Sequence, residues 1–272
     1  MSTWGLLTRC WTFDPLALAV CIAAVVAYVA QRAGRSGARP VPFALALLLF
    51  ALALVSPIGQ LANGYLFSAH MLQHLLLVLV VPPLLLLGVA PALPQRAPGR
   101  AGRVLLHPVV TWGLGVGAMW LWHEPSLCDA AAQSPLVHRA QELSLLVMGT
   151  AFWWPVLSSG SGGAGGRLPP LRGIAYLFTA CVACTLLGIL ITFSPVQVCS
   201  IFAHPVDTLG VMPLVRDGWG LTRESDQQIG GLLMWVPACL VYGVGILGLV
   251  GRVMREHGDA HTEGTLHPEQ TS

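Results

Sequence analysis

From Leu66 to Ala90 the chain runs for 25 residues without a single Asp, Glu, Lys or Arg. A lipid bilayer asks for about 20 consecutive apolar residues per helical crossing, so this run is long enough to span one. Similar runs recur along the rest of the sequence. The 272 residues are 55% hydrophobic and only 10% charged, against about 25% charged in soluble domains. The pattern predicts an all-α fold, a polytopic membrane helical bundle of about seven transmembrane helices in a single domain. The expected spans are 14–31, 41–57, 66–90, 104–122, 143–157, 174–193 and 229–250, with a polar tail at 251–272 that leaves the helix after a turn. Pro82 and Pro83 are expected to kink the third span. No acidic or basic block points to nucleic acid, so membrane lipid is the expected surrounding.

All fourteen basic residues are Arg, and their placement sets an expected orientation. Ten of them (Arg32, Arg35, Arg39, Arg96, Arg100, Arg103, Arg167, Arg172, Arg252 and Arg255) fall in alternate connections and the tail. Four (Arg9, Arg139, Arg216 and Arg223) fall on the other side. The positive-inside rule then puts the C-terminus in the cytoplasm and the N-terminus outside, in a bacterial plasma membrane. Trp4, Trp11, Tyr65, Trp122 and Trp219 fall near outer span ends, where interfacial aromatics belong. On this topology His70, His74, His123, His138 and His204 all lie on the outer side. His107, His257, His261 and His267 lie on the inner one.

His70 and His74 are four residues apart, a spacing that puts two imidazoles on one helix face. Met71 flanks that face. Imidazole suits copper and a thioether sulfur selects Cu(I), so a copper site is one reading. Polar residues capping a membrane helix at the interface are the other. The segment from Trp122 to Glu142 adds His123, Asp129 and His138, with Pro125 expected to stop one helix and Pro135 to start the next. Glu142, four residues after His138, is placed to hold a ligating imidazole through its second nitrogen. Asp129 has the simpler reading of a turn residue. Asp226 and Gln227 precede the seventh span, where an acid suits a helix N-terminus. Gly230 and Gly231 permit close helix packing. Met234 is either a further ligand or a core side chain. The candidate metal set is therefore His70, His74, His123, His138 and Met71. Glu142, Asp129, His204, Asp226, Gln227 and Met234 are supporting groups or extra ligands.

There are seven cysteines. Cys10, Cys128 and Cys199 fall on the outer side, where disulfides persist, and Cys128–Cys199 is one pairing among those the sequence allows. Cys181 and Cys184 share a face midway along the sixth span, which suits either packing or passage of soft Cu(I).

Taken in order, SPIG, SAHMLQHLLL, PLLLLG, WHEP, SPLVH, FWWP and DQQIGGLLMW resemble the CtaG-type cytochrome c oxidase assembly factors, which are multi-helix membrane proteins. The likeness extends from about Ser56 to Trp235. His70, Met71, Gln73 and His74 match the first histidine motif of that family. His123 and Pro125 match the second, Asp129 and His138 the third, and Asp226, Gln227 and Gly231 the last. In the family an acid and a second histidine often follow within four residues of the position of His138. Here those positions hold Gln141 and Glu142, so a ligand of the family's set is either missing or replaced by Glu142 or His204.

The resemblance implies a non-enzymatic role in maturing the oxidase, with copper as the metal. The partner would be an oxidase subunit or another copper chaperone. Two alternatives come from other classes. A copper transporter or homeostasis protein would need a polar or sulfur path through the bundle. A haem-binding membrane cytochrome would need axial histidines from facing helices, whereas these histidines are expected near water. No serine, cysteine or carboxylate arrangement carries the spacing of a nucleophile or general base.

Overall fold

The computed structural model describes residues 2–32, 39–89, 99–158 and 166–266, with the side chains of residues 31, 32 and 258–266 outside that description. Arg35, Arg96 and His267 fall outside it, as do the side chains of Arg32 and His261. Among the described residues 82% are helical and none forms a strand.

Thirteen α-helices follow one another among the described residues: α1 (Thr3–Arg9), α2 (Pro15–Arg32), α3 (Pro40–Val55), α4 (Pro57–Ala62), α5 (Phe67–Leu75), α6 (Val81–Val89), α7 (Arg100–Leu105), α8 (Pro108–Trp122), α9 (Pro125–Gln133), α10 (Pro135–Leu157), α11 (Pro170–Thr192), α12 (Ser200–Ala203) and α13 (Arg223–Leu266). Proline opens α2, α3, α4, α8, α9, α10 and α11, the position where its missing N–H leaves no helical bond unmade. Three helical columns are long and apolar enough to cross a membrane: Phe67–Val89, Pro170–Thr192 and Arg223–His257. Pro15–Ala30 and Pro40–Val55 are apolar but shorter. The other two expected spans differ in kind. α8 has 15 residues, and α10 begins at Pro135, so its first turns carry His138, Arg139, Gln141 and Glu142.

Several boundaries move from their expected places. The second span stops at Val55, because Ser56 caps a new helix by accepting from Ile58 N at 3.2 Å and Pro57 opens it. Pro125 does not simply end α8. It opens α9, with the Glu124 carboxylate accepting from Leu127 N at 3.1 Å. The seventh span starts six residues early, at Arg223, and the chain beyond Gly251 stays helical to Leu266. The third span departs from regular α-helix at a π-helical turn, Leu76–Val80, just ahead of Pro82 and Pro83. Prolines there remove two N–H donors and crowd the carbonyls four residues back, in that turn.

α13 is the packing axis: α11 lies along one side of it and α5 along another. Glycines set these approaches, as expected for the Gly230–Gly231 pair. A Cβ on Gly231 would strike the Thr192 side chain and the Gly188 carbonyl of α11. A Cβ on Gly230 would sit 2.5 Å from the Phe67 ring and 3.1 Å from Met71 Cγ on α5. α3 packs on α6, and α10 packs on α8 and α6.

Cys128 on α9 is disulfide-bonded to Cys199, just before α12, with Cα atoms 5.8 Å apart. Asp129 reinforces the junction by accepting from the Ser200 backbone and hydroxyl, both at 2.8 Å. The bridge closes a separation of 71 residues, for which loop entropy gives about 4 kcal/mol. A Cys128→Ser, Cys199→Ser variant is expected to melt several degrees lower in detergent and to be cut faster by protease near α12.

Candidate metal centre

The end of the bundle where α2, α5, α10 and α13 begin, and α8 ends, holds a buried polar cluster. α5 presents His70 and His74 on successive turns of one face, their ring centroids 4.1 Å apart. The His138 ring from α10 lies 6.0 Å from His70. The His123 ring, at the C-terminus of α8, lies 5.5 Å from His74. All four are buried, His70 to 1% and His74 to 0% exposure. The expectation that they sit near water is therefore corrected. They face into the protein, because α8, α10 and α5 close around them and Phe202 of α12 lies against His70 at 5.4 Å.

The four rings differ in what they bond. His123 Nδ1–H donates to the Met119 carbonyl at 2.5 Å, which leaves Nε2 facing the Met71 sulfur at 3.1 Å. Burial pushes the His123 imidazole down to about 4, the Met119 bond opposing the shift, so the ring is neutral at pH 7. Two lone-pair donors thus face each other with no proton between them. His138 Nε2 lies 3.2 Å from Glu142 Oε1, the helical i,i+4 pair expected from the sequence. If that nitrogen carries the proton, Nδ1 presents a lone pair. That Nδ1, and both ring nitrogens of His70 and of His74, have no hydrogen-bond partner. A buried polar group left unpaired costs about 1–3 kcal/mol.

Around the rings lies a layer that the sequence reading only partly foresaw. Gln73 donates to the Ala53 carbonyl at 3.1 Å and to Glu142 Oε1 at 3.2 Å. Glu142 Oε2 accepts from Arg139 at 2.8 Å, and Arg139 reaches Asp14 at 2.6 Å. Asp14 in turn caps α2, accepting from Leu16 N and Ala17 N at 3.0 Å each. Gln141 is fully buried with both amide atoms unpaired. Arg139 could have been singled out as a rare basic residue on the arginine-poor side. Nothing in the sequence signalled its pairing with Asp14.

The remaining candidates lie elsewhere. His204 is exposed beyond α12 and does not join the rings. Asp129 serves the α9–α12 junction. Asp226 does not cap its own helix. It accepts from Phe67 N at 2.9 Å and Ser68 N at 3.0 Å, capping α5 from α13. Gln227 holds the chain after α11, accepting from Val198 N at 2.9 Å and donating to the Val196 carbonyl at 3.0 Å. Met234 is a buried core side chain.

Among the described residues no group of three or more His, Cys, Asp or Glu is already spaced to enclose a metal ion. The donor chemistry nonetheless fits a soft cation: buried imidazole nitrogens without regular hydrogen bonds and one thioether. A cavity of about 190 Å³ reaches His138, Gln73 and Glu142. It is smaller than the roughly 300 Å³ at which small-molecule pockets begin, so it suits ions and water better than a porphyrin.

Relatives lie in mycobacteria. An uncharacterised protein of Mycobacterium leprae is 26% identical over 96% of this chain and 42% of its own length. Uncharacterised proteins of Mycobacterium bovis and Mycobacterium tuberculosis are each 26% identical over 90% of this chain and 40% of their own. The chain thus spans about two-fifths of the length of these curated relatives. No solved structure matches it. The family model for the cytochrome c oxidase caa3 assembly factor matches residues 21–256, and the chain belongs to that family.

Proposed function

We propose that this protein is a multi-pass protein of the bacterial plasma membrane that assists maturation of a cytochrome c oxidase by carrying copper. Copper, as Cu(I), is cargo held by His70, His74, His123 and His138 with Met71, and is passed to an oxidase subunit or another copper chaperone. The observation that carries this reading is the buried group of five unpaired ring nitrogens on His70, His74 and His138. Each neutral ring offers one lone pair, and an ion that collects those of His70, His74 and His138 offsets part of the cost of burying them unpaired. The Met71 sulfur favours the reduced ion. Arg139 and Glu142 fix His138, and the Met119 carbonyl fixes His123, as outer partners do at metal sites. The Cys128–Cys199 bridge favours an oxidising surrounding for this end of the bundle, in accord with an outward-facing site and a cytoplasmic C-terminus.

A copper-transport reading has one observation in its favour. Cys181 Sγ on α11 lies 3.2 Å from Cys239 Sγ on α13, with Cys184 at 3.5 Å from the Tyr242 hydroxyl. These thiols would offer a second stop for Cu(I) along the bundle.

Metal analysis by mass spectrometry of the detergent-purified chain after Cu(I) loading separates these readings. About one copper per chain is expected in the wild type and in a Cys181→Ser, Cys184→Ser, Cys239→Ser variant alike. Copper lost from the thiol variant, together with loss of flux in vesicles, favours transport. No copper in well-folded wild type leaves a scaffold acting on the oxidase by contact alone.

A further inference from the structure

The end of the bundle opposite the rings carries a different chemistry. α8 runs from Pro108 to Trp122 and delivers His123 to the cluster, so its start and the short α7 before it lie at the far end. There Arg100, Arg103, Val104, His107 and Val110 line an open groove of about 420 Å³, a size that small-molecule sites reach. Arg100 and Arg103 are three residues apart on α7 and share a face. His107 Nδ1 accepts from Val109 N at 3.3 Å, so the neutral ring carries its proton on Nε2 and keeps a donor to offer. No carboxylate of the chain balances these groups nearby in sequence. There is no Asp or Glu between Asp14 and Glu124, and both of those lie at the end with the rings. The first acid at the far end is Glu256, which pairs with Arg252 at 3.4 Å. Among the described residues neither Arg100 nor Arg103 has an ion pair.

Beside the groove the surface turns apolar. Val104 and Val109 are 63% and 72% exposed. Gly113 and Gly117 continue the Val109 face of α8 at helical spacing, and a Cβ on either would meet nothing within 4 Å. Guanidiniums at the head of an open apolar helix face match the two halves of a phospholipid, a phosphate and a hydrocarbon chain. Donors without a carboxylate select an anionic headgroup, because the ammonium of a zwitterionic one would meet two like charges and no partner.

We propose that α7 and the start of α8 bind one anionic phospholipid of the leaflet at this end, its phosphate between Arg100, Arg103 and His107. The phosphate oxygens accept from both guanidiniums and from His107 Nε2, and an acyl chain lies along the face of Val109, Gly113 and Gly117. The inference is independent of copper, and copper loading is expected to be the same in every variant below.

The test is native mass spectrometry of the full detergent-purified chain after incubation with equal amounts of phosphatidylglycerol and phosphatidylcholine of the same chain length. Wild type is expected to keep one phosphatidylglycerol in preference to phosphatidylcholine. Arg100→Gln with Arg103→Gln is expected to weaken that retention about fivefold for each arginine replaced. Arg172→Gln removes an exposed charge at the start of α11, which the Thr111–Tyr176 contact places beside the start of α8, but outside the groove. It is expected to leave retention unchanged. Gly113→Leu fills the apolar track without a clash inside the protein and is expected to lower retention. If wild type keeps both lipids alike, or if Arg172→Gln weakens retention as much as the groove variant, the charge acts diffusely and the site is overturned. If wild type is a dimer that Gly113→Leu splits with lipid retention intact, the glycine face belongs to a second copy and the proposed lipid position falls.

Discussion

Replacing His70 and His74 together by leucine is expected to abolish copper binding and, in the metal-free protein, to raise the unfolding temperature. The two effects have one origin. Both rings are buried, and none of their four nitrogens makes a hydrogen bond of regular geometry, although Gln141 faces His74 and the Ala62 backbone faces His70. Each unpaired ring carries about 1–3 kcal/mol of desolvation that leucine of similar bulk does not. Most buried substitutions destabilise by about 1 kcal/mol, so a gain of several degrees would stand out against the usual sign. Thermal unfolding in detergent, with and without Cu(I), reads both quantities. Wild type should gain stability from the metal and the variant should not. If the metal-free variant instead melts well below wild type, the rings are contributing to packing or bonding in the empty protein, and the cluster loses its claim as a site kept for a ligand.

Asp226→Ala is expected to be the most damaging single substitution away from the rings. The carboxylate is buried and accepts from two backbone N–H groups at the start of α5. Its removal forfeits two charge-assisted bonds and strands the Phe67 N–H inside the bundle, together about 4 kcal/mol. Asp226→Asn keeps an acceptor and should lose about 1 kcal/mol. Copper affinity should fall in the same order, because α5 carries His70, Met71 and His74. An ordinary cap at the start of α13 would give only about 1 kcal/mol for the alanine variant, so the size of the loss identifies which helix Asp226 serves.

Local spacing made part of this site legible. His70 and His74, His138 and Glu142, and the Gly230–Gly231 pair are helical neighbours. Helical geometry puts His70 with His74 and His138 with Glu142 on one face, and each pair is found there, while the adjacent glycines serve two neighbours, Gly230 meeting α5 and Gly231 meeting α11. Depth was not legible in the same way. Assigning histidines to one side of a membrane put His204 with the others, but only packing decides which rings are enclosed, and His204 stays outside. Partners distant in sequence were also hidden. The acceptor for Phe67 N is 159 residues away, and Asp14 meets Arg139 across two helices. The expected helix count rested on apolar length. In α10 the apolar stretch follows first turns whose buried face carries His138, Gln141 and Glu142 while Leu136 stays exposed, so helix length and apolar length differ there.

The Phe202 ring against His70 ties the laboratory chemistry of this protein to a choice of reagent. Copper can be kept as Cu(I) with ascorbate, which spares disulfides, or with dithiothreitol, which cleaves them. Cutting Cys128–Cys199 would leave α12 held by Asp129, by Gln227 on Val198 and by the Phe67 ring against Phe202, a looser hold on the ring that covers His70. Two preparations loaded under these two reductants would therefore differ in the covalent hold on the ring that covers His70.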